Sequence, residues 1–172
     1  KISGSGVDTT WVRHYGSGLD SSYARASSIV IDATGNVYVT GSSIGDYATI
    51  KYSSNGDTLW VRRYDGPGNG YDAASSLAVD GSGNVYVTGT SYGPVTSSDY
   101  ATIKYNSNGD TLWVRRYDEM GYWDYASSLA VDGSGNVYIT GNGTGRSNIY
   151  MYSFYSTFKY NTNGETLWWR GD

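Results

Sequence analysis

Three observations predict an all-β chain of β-propeller blades, each made of four antiparallel strands. The first is internal repetition: the tryptophans at 11, 60, 113 and 168 stand 49, 53 and 55 residues apart, and long blocks align around them almost without gaps. The second is a period-2 alternation of apolar and polar residues in short segments, with no window of helical periodicity. The third is composition: 24 Gly and 19 Tyr against 2 Pro, 2 Phe and 2 Met. The core must then come from Val, Ile and Leu and from the faces of Tyr and Trp. Such side chains bury apolar area while keeping a polar handle, which suits thin stacked sheets.

Each element of the unit can be read in order. The first strand is SSLAVD from Ser75 and Ser127, and SSIVID from Ser27. Asp-Gly-Ser-Gly-Asn follows (Asp-Ala-Thr-Gly-Asn in the first unit), a run of residues that tolerate positive φ and make tight turns. NVYVTG is the second strand, with Val85 and Val87 on one face and Tyr86 and Thr88 on the other. YATIKY is the third, and Asn-Ser-Asn-Gly-Asp closes the next hairpin. TLWVRRYD is the fourth, with Leu112, Val114 and Arg116 opposite Trp113, Arg115 and Tyr117. A repeat of this length with two hairpin turns fits a propeller blade. A solenoid repeats at shorter intervals, and an immunoglobulin-like sandwich has about seven strands without repetition.

The units divide the chain into a partial blade at 1–16 and blades at 23–65, 71–118 and 123–172. The opening stretch places a lone fourth strand at 9–15. Closed propellers have about four to eight blades, so three and a fraction do not make a ring alone. Expected partners are therefore further blades of a longer array, or copies of the chain joined through the spare strand edge.

VDGSGNVYVTG followed by YATIKYNSNGDTLWVRRYD resembles the bacterial β-propeller repeat sometimes called the seven-bladed propeller repeat, over nearly the whole chain. The resemblance implies secreted or surface-associated proteins, mostly without assigned chemistry. The Asn-Gly-Asp-Thr-Leu-Trp segment also resembles, more loosely, the tryptophan-docking repeat of quinoprotein propellers.

Charge and composition exclude several functions. A net charge of −4 and a pI near 4.8 argue against a nucleic-acid partner, which needs a basic face. The Arg pairs at 62–63 and 115–116 are expected on one exposed strand. No apolar run approaches the ~20 residues of a membrane span, so no membrane insertion is expected. Without cysteine there is no disulfide, thiolate metal site or cysteine nucleophile. His14 is the only histidine and reads as an exposed strand residue, which leaves a Ser-His-Asp triad or histidine metal site without parts. Most Asp residues recur as turn residues in every unit, unlike a unique catalytic pair. No phosphate loop or dinucleotide fingerprint occurs. The alternating oxygens of Asp80, Ser82 and Asn84 resemble a calcium loop, but hairpin chemistry already accounts for each of them. No catalytic residue, metal site or cofactor is expected.

The first-to-second and third-to-fourth turns belong on one rim and are nearly identical between units. The second-to-third loops (42–46, 90–99, 142–154) and the interblade loops (16–22, 66–72, 119–124) share the other rim and carry all the length variation. Binding concentrates on variable loops held by rigid scaffolds. The candidate ligand-binding residues are therefore Tyr71, Asp72, Tyr92, Tyr122, Trp123, Asp124, Tyr150 and Tyr152, with Tyr155 beside them. Aromatic faces stack on sugar rings, and carboxylates bond hydroxyls. For Tyr23, Tyr71 and Trp123, aligned where each first strand begins, packing is the stronger expectation. Trp60, Trp113 and Trp168 are expected to pack between blades. The function expected from all this is a non-catalytic extracellular scaffold, structural or adhesive, at the cell surface or in a filament. A carbohydrate-binding propeller is the alternative, and a surface protein is a further possible partner.

Overall fold

The computed structural model describes residues 10–16, 23–94, 98–118, 122–146 and 150–171. Among the described residues every regular element is a strand, as the period-2 patterning predicts. Blade 1 comprises β1 (Ala24–Ile31), β2 (Val37–Ser43), β3 (Asp46–Tyr52) and β4 (Thr58–Tyr64). Blade 2 comprises β5 (Ala73–Val79), β6 (Val85–Tyr92), β7 (Ser98–Tyr105) and β8 (Thr111–Tyr117). Blade 3 comprises β9 (Tyr125–Val131), β10 (Val137–Arg146), β11 (Met151–Tyr160) and β12 (Thr166–Gly171). Each blade is a four-stranded antiparallel sheet in simple sequence order.

The turns form as their chemistry requires. In blade 2 the Asp80 carboxylate accepts bonds from the amides of Ser82 and Asn84, each at 2.9 Å, while Gly83 takes a φ of 79°. A side chain at that φ would be strained, so glycine closes the hairpin. The pairing of β5 with β6 slips between Ala74 and Ser76, and the same slip recurs in blades 1 and 3. Gly89 lies opposite this bulge, where a Cβ would overlap the Ala73 carbonyl oxygen. Gly41 and Gly141 meet the same obstacle at Arg25 and Tyr125. The glycine ending each VTG or ITG segment is therefore a close-approach residue.

The blades stack face to face. Each sheet has a leading face toward the preceding blade and a trailing face toward the following one. The leading face of blade 2 supplies Leu77, Val85, Val87, Ala101, Ile103 and Tyr105, which pack against Tyr38, Tyr47 and Trp60 on the trailing face of blade 1. Blade 3 repeats this against Tyr86, Tyr100 and Trp113. The innermost strands also touch: Ser75 Oγ donates to the Ala126 carbonyl at 2.7 Å, and Ser76 Oγ accepts from the Leu129 amide at 3.3 Å.

In its loops, its N-terminal segment and its blade entrances the structure differs from the sequence reading. The second-to-third loops are shorter than expected, because the flanking strands run on into them. The β2–β3 connection is only Ile44 and Gly45, and β10 and β11 pair as far as Arg146 with Met151. Polar residues there still alternate in register, so the ladder continues. Of the lone strand at 9–15, Thr9 lies outside the described residues and 10–15 join no ladder. A strand needs a hydrogen-bonded neighbour, and residues 10–15 pair with none among the described residues. Finally, Tyr23, Tyr71 and Trp123 are exposed rather than packed. Each stands one or two residues ahead of its blade's first strand, outside the ladder that buries its neighbours.

Candidate functional site

The most regular constellation is a grip on the trailing face of each blade. In blade 1, Trp60 Nε1 and Lys51 Nζ both donate to the Ser107 carbonyl, at 3.1 and 3.2 Å, and Arg62 Nε donates to the Gly109 carbonyl at 2.6 Å. In blade 2, Trp113 Nε1 and Lys104 Nζ donate to the Thr162 carbonyl at 3.1 and 3.0 Å, and Arg115 Nε to the Gly164 carbonyl at 2.6 Å. The acceptors are carbonyls that the next blade's third-to-fourth turn leaves unused by its own hairpin. Gly109 takes a φ of 86°, and its Cα lies against the Trp60 ring, which a side chain would displace. Each lysine also lies over the tyrosine beside it, 5.1 Å for Lys51 on Tyr38 and 5.0 Å for Lys104 on Tyr86. Burial lowers the Lys104 ammonium's pKa.

Trp11 occupies the equivalent seat on blade 1. Its Nε1 donates to the Ser54 carbonyl at 3.2 Å and its ring covers Gly56. Residues 10–15 thus dock as a fourth strand does, although they form no ladder. The expectation that Trp60 and Trp113 pack between blades holds. Trp168 differs: it is 37% exposed where Trp113 is 8%, because no described blade covers its face.

The Arg pairs are not one exposed strand surface. Alternation sends Arg62 and Arg115 to the trailing face and Arg63 and Arg116 to the leading face. Arg116 pairs with Asp99 at 2.6 Å and donates to Tyr64 Oη of the preceding blade at 3.1 Å. Arg63 pairs with Asp46 at 2.7 Å and reaches Tyr15 Oη at 3.4 Å. The signal that marks the grip in the sequence is a lysine nine residues before Trp60, Trp113 and Trp168: Lys51, Lys104 and Lys159.

The eight rim residues fall into two sets, one at each blade junction. At the first, the buried Asp72 accepts from the Gly66 amide at 2.7 Å and from the Tyr92 amide at 2.9 Å. Tyr71 lies exposed beside it and meets Ser42 Oγ at 3.4 Å. At the second, Asp124 is buried and its amide donates to the Ser98 carbonyl at 2.6 Å. The Trp123 carbonyl accepts from Thr144 Oγ1 at 2.9 Å, while its ring is exposed. Tyr122 and Tyr92 are half-buried, and Tyr150 and Tyr152 are exposed. Both aspartates therefore hold loops together rather than face solvent. The aromatic half of the set is what a ligand could reach.

The carboxylates of the first-to-second turns are engaged too. Asp80 also accepts from Asn84 Nδ2 at 2.8 Å and Tyr86 Oη at 3.0 Å, making four bonds in all with the two turn amides. Burial works to raise its pKa, but the Asn84 side chain and amide and the Tyr86 hydroxyl outweigh that and lower it. Asp132, in the same turn of blade 3, is held at about 2, chiefly by the Asn136 side chain and amide. Asp46, Asp65 and Asp72 bring one oxygen each within 4.8 Å of one another. Arg63 and the loop amides already neutralise or bond two of the three.

Four-stranded sheets stacked through one repeated grip define a β-propeller repeat protein. A family model described as a beta-propeller repeat matches residues 10–48, 59–94 and 113–150, more than half of the chain. The chain belongs to that family. No curated protein matches it significantly.

Proposed function

We propose that the chain is a non-catalytic scaffold, structural or adhesive, working at the cell surface. The observation that carries this reading is where its reactive groups are used. Among the described residues, Asp80 closes a turn, Asp72 holds an interblade loop, Asp99 pairs with arginine, and Lys51 and Lys104 grip the next blade's backbone. What remains outward is repetition and exposed tyrosine, which suit contact rather than chemistry. Localisation tests the reading directly. Protease applied to intact cells of the source organism is expected to release peptides from this chain. Release only after lysis would refute a surface role.

A second reading is favoured by the rim aromatics. Tyr71 is 60% exposed, Tyr150 72% and Tyr155 73%, with the Trp123 ring open on the same rim. Such rings offer apolar faces to a sugar. A glycan array is expected to show binding that Trp123→Ala and Tyr155→Ala weaken; no hit on any glycan would end the lectin reading.

A further inference from the structure

We infer that Asn69, in the loop joining blades 1 and 2, is a self-modification site. Its side-chain amide is lost to attack by the backbone nitrogen of Gly70, which leaves aspartate or isoaspartate at the junction. The reaction needs no catalyst and stands apart from the scaffold role.

The chain holds Asn-Gly steps at Asn55, Asn69, Asn108, Asn142 and Asn163. Glycine leaves its nitrogen open to approach, so each step is chemically competent. The reaction still requires the peptide to swing until that nitrogen reaches the asparagine Cγ. Three of the steps are tied down. The amides of Gly56, Gly109 and Gly164 donate at 2.9 Å to the carbonyls of Ser53, Asn106 and Asn161, closing their hairpins. Arg62 also holds the carbonyls of Asn108 and Gly109, and Arg115 those of Asn163 and Gly164. Asn142 stands inside β10, paired with Tyr155 on one side and Tyr125 on the other. Asn69 is different. It is exposed, and among the described residues neither its side chain nor the Gly70 amide makes a hydrogen bond.

The loop's shape calls for this pair of residues. Asn69 takes a φ of 47°, which asparagine tolerates better than most side chains. Gly70 lies against Tyr92, where a Cβ would come 2.7 Å from the ring's Cγ. In the reaction the Gly70 nitrogen gives its proton to solvent base and bonds to Asn69 Cγ. The Cγ–Nδ2 bond breaks, ammonia leaves, and a cyclic imide remains. Water then adds to either imide carbonyl. One opening gives aspartate; the other gives isoaspartate, whose main chain runs through the former side chain. Water is the only co-reactant, and nothing is oxidised or reduced. Both products add a negative charge to a loop that already carries Asp65 and Asp72. Isoaspartate also lengthens the main chain between two points that Asp72 holds. That carboxylate accepts from the Gly66 and Tyr92 amides, and the Asp72 amide donates to the Gly45 carbonyl at 2.6 Å. An extra chain atom beside Gly70 pulls against these bonds, so the junction loosens as the protein ages.

Incubating the chain in mildly alkaline buffer and mapping its tryptic peptides by mass tests this, since each Asn-Gly step falls in a different tryptic peptide. In the folded chain, conversion at Asn69 is expected to outrun each of the others about fivefold, the factor for first breaking one backbone hydrogen bond. In urea the rates are expected to converge. A rate at Asn69 no faster than the rest in the folded chain would overturn the inference. So would the same ranking in urea, because sequence and not structure would then select the site. Asn69→Gly keeps the positive φ and removes the amide, and circular dichroism confirms that it folds. After ageing, hydrogen exchange at the Gly66 and Tyr92 amides is expected to quicken in the parent chain and not in this variant. Equal exchange in the two would refute the loosening of the junction.

Discussion

At the scale of single residues, one kind of position does two jobs. The aspartate that opens each first-to-second turn both closes the hairpin and anchors the tyrosine of the following strand, as Asp132 does for Tyr138 at 3.1 Å. That tyrosine in turn carries the lysine of the grip, so turn and interface are mechanically joined. The carboxylate's pKa is lowered on folding, from 3.8 to about 2 for Asp132. Its contribution to stability is therefore present above the unfolded value and is lost as pH falls from near 4 toward 2. Asp132→Asn is expected to lower the melting temperature at pH 7, with the gap to the parent chain closing at pH 2. Melting curves across that range check it, and a gap independent of pH would show that the charge is not the stabilising feature. Residue identity made this turn legible in the sequence, because Asp, Gly and Asn each have a local role there. The burial of Asp72 and Asp124 was not legible, since it depends on how loops and strands fold over one another at the rim, as the Tyr92 amide does onto Asp72.

At the scale of elements, the fourth strand decides how strongly one blade holds the next. Trp113 is buried against Tyr86 and Tyr160 and bonds Thr162, whereas Trp168 on the same strand position has a covering blade on neither its ring nor its Nε1 among the described residues. Trp113→Ala is expected to cost about 3–5 kcal/mol, the usual range for deleting a buried aromatic. Trp168→Ala is expected to stay within about 1 kcal/mol, as exposed substitutions do. Chemical denaturation of the two variants side by side checks the contrast, and equal losses would mean that Trp168 is buried in solution. Alternation in TLWVRRYD correctly assigned opposite faces to Trp113 and Arg116. It did not show that both faces are interfaces, because a period-2 pattern separates two faces without saying what lies beyond either.

At the scale of the whole molecule, stability follows the stack. Each blade touches only its neighbours, so the energy is close to a sum over blades and junctions. Blade 2 is covered on both faces, and β7 is buried along its whole length, while every described residue of β12 is exposed. Amide hydrogen exchange is expected to be slowest in β6 and β7 and fastest in β12, with β1 nearer the fast end. Uniform protection across all three blades would mean that the outer faces are covered in solution.

The amino-acid sequence by itself determined the four strands of each blade, the turns, the repeat and the membership of a propeller family. Those follow from local rules: backbone preferences at glycine, period-2 alternation and residue identity within one unit. Only the tertiary structure decided that lysine and arginine clasp the neighbouring turn's carbonyls, that two rim aspartates are buried, and that Trp11 fills a blade's seat without forming a strand. Those depend on groups from different strands and turns meeting in three dimensions, some 50 residues apart in the grip, as Lys51 is from Ser107. Spacing alone shows that such residues recur. It cannot show which atoms they meet once the sheets are stacked.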